Sequence, residues 1–473
     1  MSKEPAQMTI SELAPMIRKG DISPVEITES LFSRIDAFEG QINAFIEHDK
    51  ERILYAAKEA EKEIQSGNYK GNLHGIPLAL KDILYFKDET VTMGSNIHRD
   101  FKPDFDATVV SMLKESGALF SGKLNMHEYA WGATTTNPHF GPCKNPWNTE
   151  KIPGGSSGGS GAAVAADMTI ASLGTDTGGS IRIPSSSCGI VGLKPTHGRV
   201  SKYGCFPLAW SLDHIGPMTK NVEDAAILLD HIAGYDPKDP TSVNAPTGVY
   251  YDSLTADIKG KVIGINEEYF FKDVDRPVEE QVRKAIKELE SMGARVEEVK
   301  IPALRQSEYA EMITIITEAS AVHHQNLISR EEDFGEDVRF LLKLGELPSA
   351  VDYLQAQQIR RKLSNDFAEI FNKVDVLISP TLPFAPPNIG DNKVMINQME
   401  GMFLDHVIRF TGPGNLTGLP ALSIPCGFVE GMPVGMQIMG PAFKEESVLS
   451  FAYAYEQTNP LGGKKPNLEI SSV

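Results

Sequence analysis

Two short segments combine serines with many glycines, and they carry the residues best suited to chemistry. Residues 154–161 read GGSSGGSG, and residues 174–180 read GTDTGGS. Glycine lets the backbone approach a ligand closely, and consecutive backbone N–H groups at 177–180 can bind an oxyanion beside the Ser180 hydroxyl. Such an arrangement would suit acyl transfer to Ser180. Taken by themselves, however, Gly-Gly-Ser turns are common and usually structural.

The first of these segments has two other interpretations. A phosphate-binding loop needs a lysine after its glycines, and both the GK[ST] sequence and the G-x-G-x-x-G order of a dinucleotide site are absent. A flexible linker of this composition rarely leads directly into an apolar segment, whereas residues 162–170 form an apolar run with helical character. A loop that approaches a ligand closely is therefore favoured.

A serine nucleophile needs a base, and a lysine is the better candidate here. The chain has no G-x-S-x-G elbow, and its histidines stand outside any hydrolase signature. Lys81 lies inside the apolar run 76–84, where burial disfavours the ammonium form and can leave the amine neutral near physiological pH. Without further information, the run itself favours a structural lysine at a strand edge, with its amine reaching solvent or paired with Asp82.

Composition and charge exclude several other functions. The 473 residues include 45 Lys and Arg against 63 Asp and Glu, and the resulting charge of −18 disfavours binding to nucleic acid or to an anionic membrane. HExxH and CxxC spacings are absent, so neither a metal nor another cofactor is predicted. The scattered cysteines predict free thiols and a cytoplasmic location. No secretory signal and no membrane-spanning segment are predicted.

These residues need a scaffold of alternating helices and strands. Capping boxes predict that the first two helices begin after Thr9 and Ser23. A strand–helix–strand unit is predicted over residues 260–300. Further short strands are predicted at 374–379, 421–424 and 434–439. Alternation on this scale predicts an α/β protein built on one large sheet.

Ordered motifs along nearly the whole chain resemble those of the amidase signature family. GIPLALKD at 75–82 matches the family's lysine segment, and PGGSSGGS at 153–160 with GTDTGGSIRIP at 174–184 matches its signature. Further matching motifs are GKLNM at 122–126, NPWN at 145–148, GLKPT at 192–196 and NLTGLPA at 415–421. An ordered set of this length is far more specific than any one of its motifs.

The resemblance implies both the fold and the domain organisation. The expected fold is the α/β amidase signature fold, with a large mixed central β-sheet flanked by helices on both faces. A helical segment over residues 1–70 is expected to pack on the core. Residues 71–473 are expected to form the amidase signature domain as a single compact unit.

The resemblance also implies a Ser-Ser-Lys triad that hydrolyses a carboxylic amide to an acid and ammonia or an amine. By their positions in the matching motifs, Ser180 is the nucleophile that becomes acylated and Lys81 is the base. Ser156 is the bridging serine, expected after a cis peptide bond from Gly155. The oxyanion hole is expected to comprise four consecutive residues: Thr177, Gly178, Gly179 and Ser180.

Substrate contacts are expected in a segment that borders the acyl pocket of relatives. The candidates are Met126, Tyr129 and Trp131. Packing in the core is the alternative for such a cluster. The amide itself is not encoded in any readable motif, because specificity in this family lies in variable loops, here expected around 126–140 and 305–410.

Two activities fit the resemblance. A stand-alone amidase acts on a small or hydrophobic amide, whereas the A subunit of the tRNA-dependent amidotransferase hydrolyses glutamine and passes ammonia to a partner protein. Such subunits usually carry an acidic residue seven positions before Asn415, where glutamine's amino group binds, but Ile408 stands here. Their typical RFDGVRYG stretch is also missing after Glu318. The stand-alone amidase is therefore preferred, and the glutaminase subunit is the alternative.

The remaining expectations concern partners. A non-catalytic binding relative is a third interpretation, which the three intact triad positions disfavour. The predicted partner is a small-molecule amide, without direct binding to nucleic acid or to a membrane. The resemblance allows either a monomer or a homodimer.

Overall fold

A mixed sheet of eleven strands forms the centre of the computed structural model, which describes residues 3–458, 461 and 463–468. In order across the sheet, the strands are β1 (Phe45–Glu47), β3 (Leu119–Leu124), β2 (Pro77–Lys81), β6 (Ala171–Asp176), β8 (His214–Thr219), β7 (Val191–Lys194), β14 (Ala421–Val429), β15 (Met432–Met439), β11 (Val376–Pro380), β9 (Val262–Ile265) and β10 (Arg295–Glu298). Separate two-stranded pairs are formed by β4 (Thr136–Asn137) with β5 (Gly141–Pro142) and by β12 (Lys393–Ile396) with β13 (Met399–Met402).

Helices flank this sheet, which confirms the predicted α/β class with a large mixed sheet. In chain order they are α1 (Ile10–Lys19), α2 (Pro24–Ile42), α3 (Lys50–Gln65), α4 (Thr108–Glu115), α5 (Gly158–Ala165), α6 (Arg182–Cys188), α7 (Val222–Ile232), α8 (Glu267–Phe270), α9 (Arg276–Ser291), α10 (Ser307–Ser329), α11 (Glu336–Leu344), α12 (Ala350–Ile370), α13 (Phe403–Val407), α14 (Gly412–Thr417) and α15 (Glu445–Glu456).

The first two helices begin where the capping boxes predict. The Thr9 hydroxyl accepts a hydrogen bond from the Glu12 backbone, and the Ser23 hydroxyl accepts one from the Glu26 backbone. The same N-terminal part of the chain also contributes β1, which pairs with the edge of β3. The sequence analysis missed this strand because its three residues are too few to establish an alternating pattern.

The glycine-rich segment is not only a loop, because α5 already begins at Gly158 and ends at Ala165. The predicted apolar helix over 162–170 is therefore displaced towards the N-terminus. Close packing explains why glycines form its first turn. A Cβ atom at Gly159 would lie 2.4 Å from the Asn125 carbonyl oxygen and 2.5 Å from that of Ala44.

The predicted strand–helix–strand unit is confirmed as β9, α9 and β10, which pair as parallel neighbours through β9 and β10. The return strand β10 ends at Glu298, before the end of the predicted unit at residue 300. In contrast, β14 extends past the predicted 421–424 to Val429, because a bulge between Pro425 and Gly427 lets it continue alongside β15.

Parallel strands β2 and β6 are neighbours, and both run toward the candidate site. Leu78 stands opposite Ala171, and Leu80 stands opposite Leu173. The carboxyl ends of both strands therefore meet at one edge of the sheet, where α/β proteins commonly bind ligands. Lys81 is the last residue of β2, and the GTDTGGS segment continues from β6 into the following turn.

Several features of the described residues bear on other functions. Their four cysteines are free thiols. None of their helices is long and apolar enough to cross a membrane. No group of three or more His, Cys, Asp or Glu side chains within the described ranges could hold a metal ion.

Candidate active site

Lys81 lies at the centre of the site and is completely buried. Its Nζ atom is 2.7 Å from Ser156 Oγ and 2.7 Å from Thr175 Oγ1. Burial lowers the pKa of Lys81 to about 7, although the charges of Asp176 and Asp213 act in the opposite direction. The amine can therefore lose its proton near neutral pH and accept another from a neighbouring hydroxyl.

Ser156 lies next to Lys81 and follows an unusual peptide bond. The peptide bond from Gly155 is cis, as the resemblance implies. The Ser156 carbonyl oxygen accepts a hydrogen bond from the His127 backbone N–H at 3.1 Å. Gly155 packs so tightly that a Cβ atom there would lie 2.8 Å from the backbone of residues 133–134. A side chain at 155 would therefore displace this backbone, and the Ser156 hydroxyl is held by its contact with Lys81.

Ser180 follows β6 in a turn that precedes α6 and is 8% exposed. Within the described residues, its hydroxyl forms no hydrogen bond, so Lys81 and Ser156 are in contact while Ser180 is not yet joined to them. Catalytic hydrogen bonds are often formed only when substrate binds. The backbone N–H groups of residues 177–180 also have no hydrogen-bond acceptor within the described part of the chain.

A buried ion pair fixes the turn that carries Ser180. The Arg182 guanidinium donates to both carboxylate oxygens of Asp176, at 3.0 and 2.9 Å, and both side chains are fully buried. Burial opposes ionisation of Asp176, but the adjacent guanidinium outweighs it and lowers the pKa to about 2. Arg182 also donates to Gln437 Oε1 and Asn415 Oδ1, so the turn is tied to β15 and α14.

Thr411 supports the same turn from outside. Its hydroxyl donates to the Gly178 carbonyl oxygen at 2.5 Å. Gly179 has a φ of +135°, and a Cβ atom there would lie 2.4 Å from Thr411 Oγ1. Glycine is required at 179 for two reasons, since its backbone conformation disfavours a side chain and the space is already occupied.

An apolar pocket opens beside Ser180. Its wall comes from the turn itself and from the two segments in which specificity loops were expected, 126–140 and 305–410. Its apolar lining side chains include Trp131, Ile183, Met312, Ile315, Val407 and Ile408. A pocket of this composition suits an apolar portion of a ligand bound next to Ser180.

The predicted substrate contacts divide in their placement. Trp131 lines the apolar pocket, and its indole N–H has no hydrogen-bond partner among the described residues. Met126 and Tyr129 are buried but do not line that pocket, and the Tyr129 hydroxyl bonds to His98 Nδ1 at 2.7 Å. Their contact with substrate stays a prediction.

Arg360 does not face the apolar pocket. Its guanidinium donates to the Leu416 carbonyl oxygen at 2.6 Å and to the side chain and backbone of Ser211. These three hydrogen bonds connect α12 to α14 and to the loop that contains Ser211. Ile408 lines the pocket at the position where a glutaminase would be expected to carry an acidic residue.

A larger cavity of about 360 Å³ meets the apolar pocket at Ala130, Thr177 and Leu208. It reaches Thr175, the hydroxyl neighbour of Lys81, and its lining includes Lys202 and Asp213. The Thr177 hydroxyl donates to Asp213 at 2.6 Å across this boundary. The loop that carries Ser180 therefore borders an apolar space and a more polar one.

The sequence analysis missed three neighbours of the site. Thr175 and Thr411 contribute hydroxyls that have no local pattern to mark them. Glu311 is buried on α10 beside Gly178. The sequence offers one signal for Glu311, because this acid stands immediately before the largely apolar stretch MITII.

Comparison with known proteins identifies the family of this chain. The sequence model of the Amidase family matches residues 26–449. The chain belongs to the amidase signature family. It is an enzyme of the class that hydrolyses C–N amide bonds.

Members of the family that resemble this chain have different descriptions. The A subunit of the glutamyl-tRNA(Gln) amidotransferase of Thermodesulfovibrio yellowstonii is 42% identical, covering 98% of this chain and 99% of its own. A solved structure described as an amidase is 33% identical, with a TM-score of 0.86 over 95% of this chain and all of its own. One chain of a solved structure is also 33% identical, with a TM-score of 0.92 over 96% of this chain and 99% of its own. That structure is described as a vestigial protein complex that reveals the evolutionary origins of an s-triazine catabolic enzyme.

Proposed function

We propose that this enzyme hydrolyses amides through an acyl-Ser180 intermediate, with Lys81 as the base and Ser156 as the proton relay. The observation that carries the proposal is the 2.7 Å contact between Lys81 Nζ and Ser156 Oγ inside a fully buried site. Burial lowers the pKa of Lys81 to about 7, so a neutral amine is available near physiological pH. A charged lysine could not accept a proton.

The proposed first half-reaction transfers one proton along this path. As Ser180 Oγ attacks the amide carbonyl carbon, its proton passes to Ser156 Oγ, and the Ser156 proton passes to Lys81 Nζ. The tetrahedral intermediate then collapses, the C–N bond breaks, and the proton returns through Ser156 to the leaving nitrogen. Ammonia or an amine departs, and Ser180 remains as an ester.

In the second half-reaction water replaces the leaving group. Neutral Lys81, acting again through Ser156, removes a proton from water as the water attacks the ester carbon. Collapse of this second intermediate breaks the bond to Ser180 Oγ and returns the proton to it. The products are a free acid and the original enzyme.

The turn at Thr177, Gly178, Gly179 and Ser180 is proposed as the oxyanion hole. Its backbone N–H groups have no acceptor among the described residues, which supports a role in binding negative charge that appears only during reaction. One such donor is typically worth about 2.7–4 kcal/mol of barrier. The Asp176–Arg182 ion pair holds these donors in place before substrate arrives.

The pocket chemistry favours an apolar group on the substrate. Met312, Ile315 and Ile408 present apolar atoms beside Ser180. Glutamine, by contrast, would bring a carboxylate, and the lining of this pocket presents no basic side chain to receive it. Arg360 is directed towards Leu416 and Ser211 and does not line this pocket. This geometry favours a self-sufficient amidase.

A second candidate is the glutaminase subunit of a tRNA-dependent amidotransferase. The 42% identity over nearly the full length of a protein named as the A subunit of such an enzyme supports this alternative better than it supports a stand-alone amidase. In that case the enzyme would release ammonia from glutamine to a partner protein. Four unpaired cysteines support a cytoplasmic location for either candidate.

Ammonia release by the purified chain separates the two candidates. The substrates are glutamine, aliphatic and aromatic amides, and peptide C-terminal amides. Ser180→Ala should abolish turnover, whereas Ser291→Ala, on an exposed helix end, should leave it unchanged. Release from apolar amides but not from glutamine supports the self-sufficient amidase.

Other outcomes have equally clear meanings. Release from glutamine alone supports the amidotransferase candidate. A rate of Ser180→Ala close to that of the unmodified enzyme would exclude the proposed nucleophile.

A further inference from the structure

A buried carboxyl group stands beside the turn that carries Ser180, and the hydrolytic mechanism does not use it. Glu311 lies on α10 and is 2% exposed. Its Oε1 atom has no hydrogen-bond partner among the described residues. Other buried acids near the site are fully engaged, as Asp176 is with Arg182. An unpartnered buried carboxyl is costly, which points to a ligand that completes its bonding.

Two glycines make room for this carboxyl. A Cβ atom at Gly178 would lie 3.0 Å from Glu311 Oε1, and one at Gly412 would lie 1.6 Å from Oε2. Glu311 therefore reaches the backbone of the proposed oxyanion hole directly. A group bound by Glu311 would lie close to the reacting carbonyl.

Glu311 also lines a side cavity of about 200 Å³. The cavity shares Met312, Leu404 and Ile408 with the apolar pocket that contains Ser180, so the two spaces adjoin. A substrate whose amide meets Ser180 can therefore extend across the shared apolar wall toward Glu311.

The charge of the side cavity is unbalanced. Its lining includes three acidic side chains, Glu308, Glu311 and Asp405, and one basic side chain, Arg409. The Arg409 guanidinium lies 3.5 Å from Glu308 and donates to the backbone carbonyls of Lys272 and Tyr269. Arg409 is thus held by these partners, and the acidic side chains that line the cavity outnumber its basic one, which favours a cation as the ligand.

We propose that this side cavity binds a primary ammonium group on the substrate, with Glu311 as its counter-ion. The proposal rests on the amidase function above and narrows its substrate class to amides that carry an ammonium group separated from the carbonyl by an apolar spacer. The spacer packs on Met312 and Ile408, and the ammonium donates to the free carboxyl oxygen.

The raised pKa of Glu311 agrees with the exchange of its proton for a bound ammonium group. Burial raises the pKa of Glu311 well above its ordinary range, an effect that Arg182 and Arg360 oppose and that Asp176 and Glu308 reinforce. Burial therefore favours the protonated form of Glu311 when no cation is beside it. When an ammonium group enters, Glu311 releases its proton to solvent and the two charges pair.

Matched pairs of neutral and cationic amides test the proposal. In each pair an ω-amino amide is compared with the alkyl amide in which a methyl group replaces the ammonium, for example 4-aminobutyramide with pentanamide. Charge-assisted hydrogen bonds predict that the enzyme prefers the amino member by about 10- to 100-fold in kcat/KM for the best spacer. Glutamine in the same assay distinguishes an α-ammonium from a terminal one.

Two substitutions examine the role of Glu311. In Glu311→Gln the preference ratio should fall to near one, because the amide keeps the shape and loses the charge. In Glu311→Asp the preferred spacer should lengthen by about one methylene, because the carboxyl is retracted by that amount. Glu298→Gln, on the exposed edge strand β10, should leave the ratio unchanged.

The outcomes separate this inference from the proposed function. Equal preference ratios in the unmodified enzyme and in Glu311→Gln would overturn the inference, while Ser180-dependent hydrolysis would sustain the amidase function. If no amide is hydrolysed, the amidase function fails. Calorimetric binding of 4-aminobutyramide and pentanamide to Ser180→Ala then decides the inference, because equal affinities for both compounds overturn it.

Discussion

Replacing Lys81 by methionine should abolish activity and at the same time stabilise the protein. The lysine is fully buried, and burial lowers its pKa from an ordinary 10.5 to about 7. Between these two values the unfolded chain binds a proton that the folded chain does not. Unfolding is therefore favoured by this group, and the stability of the fold rises with pH across that window.

The expected magnitude follows from the same pKa values. At pH 8, which is about 2.5 units below the ordinary value, holding the lysine neutral costs about 3 kcal/mol of folding free energy. Methionine has no such cost and a similar length. Its introduction leaves the hydroxyls of Ser156 and Thr175 without the amine, which offsets the gain by about 1–2 kcal/mol. The net gain should be about 1–2 kcal/mol at pH 8.

Urea unfolding from pH 6 to pH 10 measures this effect. The stability advantage of Lys81→Met should be largest near pH 7 and below, and it should shrink as pH approaches 10. Lys300→Met, at an exposed position, serves as the matched control and should show no such trend. In the active enzyme, kcat/KM should fall as pH decreases through about 7, because the base becomes protonated.

A particular result would refute this reasoning. If Lys81→Met is less stable than the unmodified protein by an amount that does not change with pH, the lysine is charged in the folded state. A neutral-lysine mechanism would then be excluded.

Three further substitutions test the surroundings of the nucleophile. Gly179→Ala should lower both the free energy of unfolding and kcat, because the φ of +135° and the Thr411 hydroxyl leave no space for a methyl group. Denaturant midpoints and amide hydrolysis measure these two effects, and unchanged kinetics would contradict the assigned turn. Arg182→Met should lower the free energy of unfolding in urea at pH 7 by about 3–5 kcal/mol, because Asp176 would remain buried without its partner. A decrease of less than about 1 kcal/mol would disprove the stabilising role of the ion pair. Ile408→Asp should weaken hydrolysis of apolar amides at least tenfold in kcat/KM, since a charge would enter the apolar wall, and an unchanged rate would show that this wall does not contact the acyl group.

The amino-acid sequence by itself determined the local structure and the candidate chemistry. Thr9 and Ser23 start helices because their hydroxyls satisfy backbone N–H groups a few residues away, and this information is contained in adjacent residues. The apolar run 76–84 predicts that Lys81 is buried, and the ordered motifs identify the family and the three positions proposed for the triad. The ranges of short elements were less well determined, as the displaced start of α5 shows.

Tertiary structure alone decided which distant residues meet. Thr411 bonds to Gly178, and Glu311 packs against the same glycine, although no local pattern links these positions. The apolar lining beside Ser180 is likewise assembled from separate segments. The pKa of Lys81 depends on complete burial, which is a property of everything packed around it. The burial, the charge balance and the shape of the site depend on residues that are neighbours in space. These neighbours are distant along the chain and are brought together only by folding.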